Sequence, residues 1–314
     1  MKNYTVRPYE PRDFEAWNAF IGKAKNATFL FHRDFMEYHK DRFQDFSLIV
    51  EEDQKWVAAL PANRVGDALY SHQGLTYGGL VYEGKLNADE VEVVFTDLIQ
   101  FLKENEIQNL FYKPIIAIYG KQSSLEMDYF LFRKKAALYR KDLNLAIDFA
   151  SDFRISKSKM KHFRRISESE IEMRKETSLA SFWDKVLVPR LQEKHNTNPV
   201  HTKEEIQSLA EKFPENIIQY NAYLEDEIVA GITLFHFGNV VKSQYGATTS
   251  QGEKLRALDF LFINLITEFK DKVSYFDMGT VTESNDKGYN PGLMKQKEEL
   301  GCSVYNQDFY SLAI

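Results

Sequence analysis

The feature that most limits what this chain can fold into is a repeated order of elements. Residues 47–79 read SLIVEEDQKWVAALPANRVGDALYSHQGLTYGG, and residues 219–251 read QYNAYLEDEIVAGITLFHFGNVVKSQYGATTSQ. At one constant offset, Val57-Ala58-Ala59 falls on Val229-Ala230-Gly231, and Ser71-His72-Gln73-Gly74 on Ser243-Gln244-Tyr245-Gly246. Each stretch reads as strand, acidic turn, strand, turn, strand, with Glu51-Glu52-Asp53 and Glu225-Asp226-Glu227 at the turns. A helical period follows in both: Val91, Val94, Phe95, Leu98, Phe101 and Leu102, then Leu255, Leu258, Phe262, Leu265, Ile266 and Phe269. Short strands come next, at 109–115 and 273–279. Each copy also opens on a helical stretch, Phe14 to Ala24 in the first, and a basic segment with Leu179–Lys194 in the second. Repeated order of this kind predicts repeated supersecondary units. The expected fold is α/β (α+β): two like domains, 1–152 and 153–314, each a mixed, mostly antiparallel sheet flanked by helices.

The bulk properties agree with two domains. A chain of 314 residues suits about 100–200 residues per domain. The 24 Phe and 17 Tyr can fill substantial cores. A single cysteine, Cys302, excludes an internal disulfide and a cysteine-rich metal site, and it fits a reducing cytosol. The start, MKNYTVRPYEPRDF, lacks the apolar core of a signal peptide. No apolar run approaches the ~20 residues that span a bilayer, and even LDFLFINLITEF is interrupted by polar residues. A cytoplasmic protein that is not transmembrane is expected. A net charge of −6 and a pI near 5.8 argue against stable DNA binding, while a local patch can still hold phosphate.

Such a patch lies in SKSKMKHFRRI, residues 156–166: from Arg154 to Arg165 there are six Lys or Arg and no acidic residue. Met160, Phe163 and Ile166 recur at helical spacing, as do Lys157, Lys161 and Arg164/Arg165, so a helix capped by Ser156 or Ser158 can bury one set and present the other. A solvated face explains such a stripe equally well. A helix used only for solubility, however, usually mixes its signs in i,i+4 pairs.

The C-terminal third carries the most specific order: QYGATTSQGEKLRALDFLFINLI, then YFDMGTVTES, then YNPGLMKQKEELGCSVYNQDFYSL. With LQEKHNTNPVHTKEEIQSLAEKFP (191–214) and the Gln296-Lys297-Glu298-Glu299-Leu300-Gly301 element, this succession resembles the FemAB-like branch of the GNAT acyltransferase superfamily. The resemblance implies tandem GNAT-like domains, with the acyl-donor site in the second. It implies transfer of an acyl group to an amine of a cell-envelope sugar or peptidoglycan-type precursor in a bacterial cell. Related proteins take acyl-CoA as co-substrate, and Fem ligases take aminoacyl-tRNA. The long coiled-coil insertion of some Fem ligases has no room here. A third reading is a non-catalytic ligand-binding protein that keeps the fold, since Gln251-Gly252-Glu253-Lys254-Leu255-Arg256-Ala257 matches the pyrophosphate loop of the superfamily loosely.

Amine acylation needs a neutral amine, an oxyanion stabiliser and a proton for the leaving group. His195, Tyr245 and Asp277 are the candidate catalytic residues. His195 sits in a polar loop raised in interest by the resemblance, and Asp277 stands at a strand end. Thr248, Gly252, Lys254 and Arg256 are placed to bind the donor's phosphates. His72, Tyr77, Lys157, Lys161, His201 and Lys297 are candidate substrate contacts, with a nucleotide-linked or lipid-linked amino sugar as the expected acceptor and tRNA as a partner under the Fem-type reading. Each has an ordinary alternative: surface histidines, core tyrosines, a turn-capping carboxylate. His195 and His201 lack a third ligand cluster, so no metal is expected.

Overall fold

The computed structural model describes residues 3–314, apart from the side chain of His195. The chain divides into two compact units. One runs to Asp142 and takes in Asn306–Ile314, and the other is Leu143–Tyr305. Among the described residues no helix is long and apolar enough to cross a membrane.

The first unit contains β1 (Thr5–Pro8), β2 (Gln44–Asp45), β3 (Leu48–Glu52), β4 (Lys55–Leu60), β5 (Asn63–Val65), β6 (Ala68–Tyr70), β7 (Val81–Tyr82) and β8 (Asn109–Tyr112). Strands β1-β3-β4-β7 form an antiparallel sheet. The hairpin β3–β4 turns through Asp53 and Gln54, at φ 48° and 64°. Strands β2, β5 and β6 pair antiparallel in turn, and β6 runs parallel to β8. The helix Ala88–Glu104 starts in a capping box, Asn87 with Glu90, which satisfies two end N–H groups. Its Val91, Val94, Phe95, Leu98 and Leu102 are buried with Leu48, Val50, Tyr82 and Leu110, as the apolar period predicts.

The second unit takes the Leu143–Asp148 part of β9 (Ala137–Asp148), then β10 (Ile171–Glu176), β11 (Ile217–Leu224), β12 (Glu227–His236), β13 (Val240–Thr248) and β14 (Tyr275–Thr280). Their order is β10-β11-β12-β13-β14-β9. Only β13–β14 is parallel among these pairs. Helix Ala257–Phe269 covers one core with Leu261, Leu265 and Ile266 against Ile232, Leu234 and Phe276. The helical period expected from Leu255 to Phe269 is broken: Arg256, at φ 61°, ends Ser250–Leu255 and starts Ala257–Phe269.

The repeat is visible in the pairing. Ala58 and Ala59 pair with Tyr82 and Val81, as Ala230 and Gly231 pair with Thr248 and Ala247. The Glu83 N–H donates to Val57 O at 3.3 Å, as the Thr249 N–H donates to Val229 O at 3.0 Å. The third strand of the first copy is therefore β7. The constant offset had set Ser71–Gly74 there, but the chain detours through β5–β6 before it returns. Strand β15 (Ser303–Ala313) begins in the second unit and ends in the first, where Tyr310 pairs with Tyr112 and Leu312 enters the core. The unit boundary after Asp142 falls inside β9, ten residues before the expected 152/153 junction. Both units are mixed α/β assemblies flanked by helices.

Candidate functional site

In the second unit β13 and β14 run together for three residue pairs and then part. Val240, Val241 and Lys242 pair with Tyr275, Phe276 and Asp277, while β13 continues beside β12 to Thr248. A buried polar joint marks the parting. Lys242 Nζ lies 3.0 Å from Asp277 Oδ2, and Asp277 Oδ1 accepts from Asn144 Nδ2 (2.9 Å) and the Gly279 N–H (2.7 Å). Asp277 is fully buried, so those bonds are what make its charge tolerable. Gly279, at φ 79°, then turns the chain as only glycine does readily. Past the joint, among the described residues, Ser243–Thr248 has a strand partner on the β12 side only. Such an edge can pair with an extended ligand and offer N–H groups to a carbonyl oxygen.

The β12–β13 register shifts between Thr233 and Leu234, leaving Gln244 as the extra residue. Bulges re-aim side chains near sites. Next to it, Tyr245 Oη lies 2.5 Å from His201 Nδ1 and accepts the His201 N–H at 3.4 Å. The Trp183 ring meets Tyr245 edge-on at 5.1 Å. Burial pushes the Tyr245 phenol up to about 12. The phenol therefore keeps its proton at neutral pH. Gln244 Oε1 is buried with no hydrogen-bond partner among the described residues.

The residues after β13 are packed tightly. Thr248 Oγ1 donates to Val229 O at 3.0 Å, and Thr249 caps the helix Ser250–Leu255 by accepting the Gly252 N–H at 3.0 Å. A Cβ on Gly252 would stand 2.1 Å from Val229 O and 2.4 Å from Thr248 Oγ1, so only glycine fits. Lys254 and Arg256 are exposed. Glu253, whose charge would oppose a phosphate, is neutralised by Arg190 and Lys194 of the helix Val188–His195.

The other expected residues fall as follows. His195 ends the helix Val188–His195, and its side chain lies outside the described residues. Lys297 is buried, with Nζ donating to Gly279 O (2.9 Å) and Thr280 O (3.0 Å) just past the joint. Burial pushes its amine down to about 8, while Asp277 pulls it back and Lys242 lowers it further. Lys157 and Lys161 are exposed on the helix Lys157–Ser167, capped by Ser156. In the first unit Tyr77 is enclosed, its hydroxyl donating to Thr28 Oγ1 at 3.1 Å. His72 is buried beside His39, at φ 67°. Tyr245 and His201 thus come together, and Asp277 meets Lys297 through Gly279. The exposed Lys157 and Lys161 belong to a separate helix. Sequence reasoning missed Lys242, Asn144, Trp183 and Gln244, which no spacing marks. Among the described residues no group of three or more His, Cys, Asp or Glu is arranged to hold a metal.

The sequence matches no protein-family model and no curated protein. Solved structures do match. FemX superposes with a TM-score of 0.70 at 9% identity, over 99% of this chain and 97% of that one. L-PGS from Bacillus licheniformis gives 0.64 at 14% identity, over 96% and 91%. A tandem GNAT protein from the clavulanic acid biosynthesis pathway gives 0.52 at 9% identity, over 99% and 98%. The fold defined here is therefore the FemAB-like, tandem GNAT fold.

Proposed function

We propose that the chain is a transferase that moves an acyl or aminoacyl group to an amine of a cell-envelope precursor. The observation that carries this reading is the parting of β13 from β14 beyond the Lys242–Asp277 pair, with the Tyr245–His201 pair beside the freed edge. The β13 edge receives the donor's extended arm, and its N–H groups polarise the carbonyl as an oxyanion develops. The Tyr245 hydroxyl, protonated at neutral pH, gives its proton to the leaving group and regains one from solvent, to which the attacking amine releases its own, while His201 orients the hydroxyl. Structural likeness to an L-PGS and to a tandem GNAT protein supports this chemical class.

For the donor, acyl-CoA is the first reading, with Thr248, Gly252, Lys254 and Arg256 nearest the place its phosphates would take. Aminoacyl-tRNA is the second, and a specific observation favours it: Lys157, Lys161, Arg164 and Arg165 are exposed, and among the described residues none makes an ion pair. The density of positive charge on this face also acts on His162. Desolvation, then the charges of Arg256, Arg165 and Lys161, holds that imidazole below its ordinary value. Arg256 thus extends the basic surface toward the donor loop.

The test is transfer of labelled acyl groups from acetyl-CoA and from aminoacyl-tRNA to amino-sugar acceptors. Tyr245→Phe should lower the transfer rate by about 10²-fold, the usual worth of a positioned proton donor, measured well below the melting transition because loss of the hydroxyl's bonds to His201 costs about 1–3 kcal/mol of stability. Equal rates in both proteins would remove Tyr245 from the chemistry. Binding of donors without turnover would instead favour a ligand-binding protein that keeps the fold.

A further inference from the structure

The first unit contains a cavity of about 240 Å³ that the transferase reading does not use. Ser71, His72 and Gln73 line it, in a turn that is held firmly. The Ser71 N–H donates to Phe111 O at 2.9 Å, and the Lys113 N–H donates to Ser71 Oγ at 2.8 Å. The Asn63 amide grips Gln73 twice, at 2.8 Å each. Within this turn His72 is left-handed and buried, with Nδ1 accepting the Gly74 N–H at 3.2 Å. A non-glycine residue held at positive φ in a cavity wall is strain of the kind that gathers at ligand sites.

The walls are aromatic and cationic. Tyr70 and Phe111 stack at 4.7 Å, Tyr139 meets Phe111 edge-on at 5.7 Å, and the Arg140 guanidinium lies 4.6 Å over the Phe309 ring. Lys113 and Arg140 both line the space. The nearby carboxylate, Asp142, is already bound to Arg140 by two bonds of 2.8 and 2.7 Å. Burial, then the positive charge of Arg140, pushes the Lys113 amine down to about 8. Burial first, then electrostatic interaction with His39, Lys113 and Arg33, pushes His72 down to about 3, so it adds no cation of its own near neutrality. The cavity thus carries positive charge in excess, beside a flat apolar wall half open to solvent at Tyr139.

We propose that this cavity binds a small organic anion with a flat apolar body, its carboxylate or phosphate group against Lys113 and Arg140 and its body against Tyr139 and Phe309. An anion relieves the repulsion between the two cations and gains charge-assisted hydrogen bonds. The rings supply stacking area, and the fixed turn keeps the ordering cost low. This site lies outside the transferase reading, and its test needs no acyl donor, so the two can fail separately.

The experiment is titration of the full chain with benzoate, phenyl phosphate and the uncharged benzyl alcohol, followed by ligand-observed NMR. The wild type should bind at least one anion saturably and benzyl alcohol far more weakly. The two anions report which headgroup the cavity takes. Lys113→Met should weaken the preferred anion at least about tenfold, or 1.4 kcal/mol. Tyr139→Ala, at a half-exposed position that leaves the core intact, should weaken it several-fold and serves if the Lys113 variant does not fold. Absence of saturable binding to the wild type at millimolar concentration, or wild-type affinity in folded Tyr139→Ala, overturns the proposal.

Discussion

Lys297 carries a pH dependence that can be worked out from its surroundings. Its amine is enclosed and bonded to two carbonyl oxygens, and burial holds it near 8, below the ordinary 10.5. Below about pH 8 the folded and unfolded chains both hold the proton, and the native state bears the full cost of the buried charge. Between about 8 and 10.5 the folded chain releases its proton first, so stability gains up to about 1.4 kcal/mol per pH unit from this group. Urea unfolding of wild type and Lys297→Met at about pH 7 and about pH 10 isolates the effect, because the other titrations cancel. The wild type should gain on the variant as pH rises, and parallel behaviour would refute the assignment. At this scale the sequence offered Tyr245, His201, Asp277 and Lys297 as separate candidates. It could not pair Tyr245 with His201, 44 residues away, because such contacts are set by how helices and strands pack.

The helix Lys157–Ser167 was legible as an element. Ser156 caps it, Met160, Phe163 and Ile166 face the core, and Phe163 stacks on Phe260 at 5.8 Å. The periodicity alone could not reveal Lys159. That residue turns inward to Asp259, at 2.7 Å to both carboxylate oxygens, and leaves the exposed stripe. If the stripe holds tRNA phosphates, Lys157→Gln with Lys161→Gln should weaken aminoacyl-tRNA binding by about tenfold, or 1.4 kcal/mol. The slope of log affinity against log salt should become shallower by about 0.7–0.9 for each phosphate no longer neutralised. The melting temperature should stay within about a degree, since both side chains are exposed. Unchanged affinity and slope in filter-binding titrations would leave the stripe a solvated face.

At the scale of the molecule, the final strand is the feature with the largest consequence. Residues 306–314 complete the first unit: β15 pairs antiparallel with β8 through Tyr310–Ala313, and the Gln307 amide donates to Thr76 O at 2.7 Å. Deleting them strips a central partner from β8 and empties the place of Leu312 in the core. Hydrogen exchange should then show weaker protection in the helix Ala88–Glu104 and β8, with the second unit's β11 and β12 still protected. Uniform protection in the truncated chain would mean the strand is dispensable.

What the sequence determined by itself was periodic: the repeated strand–helix order, the apolar faces of Ala88–Glu104 and Ala257–Phe269, and the amphipathic basic helix. Those patterns are local, because each side chain's direction follows from its spacing along a helix or strand. The tertiary structure alone decided the rest. It moved the third strand of the first copy to Val81–Tyr82 and carried the last strand into the first unit. It also buried Asp277 between Lys242 and Asn144 and gathered Lys113, Arg140 and His72 around one cavity. Each of these depends on which strand edges meet and which charges lose water together. Those energies arise between residues far apart in the chain, and no local pattern encodes them.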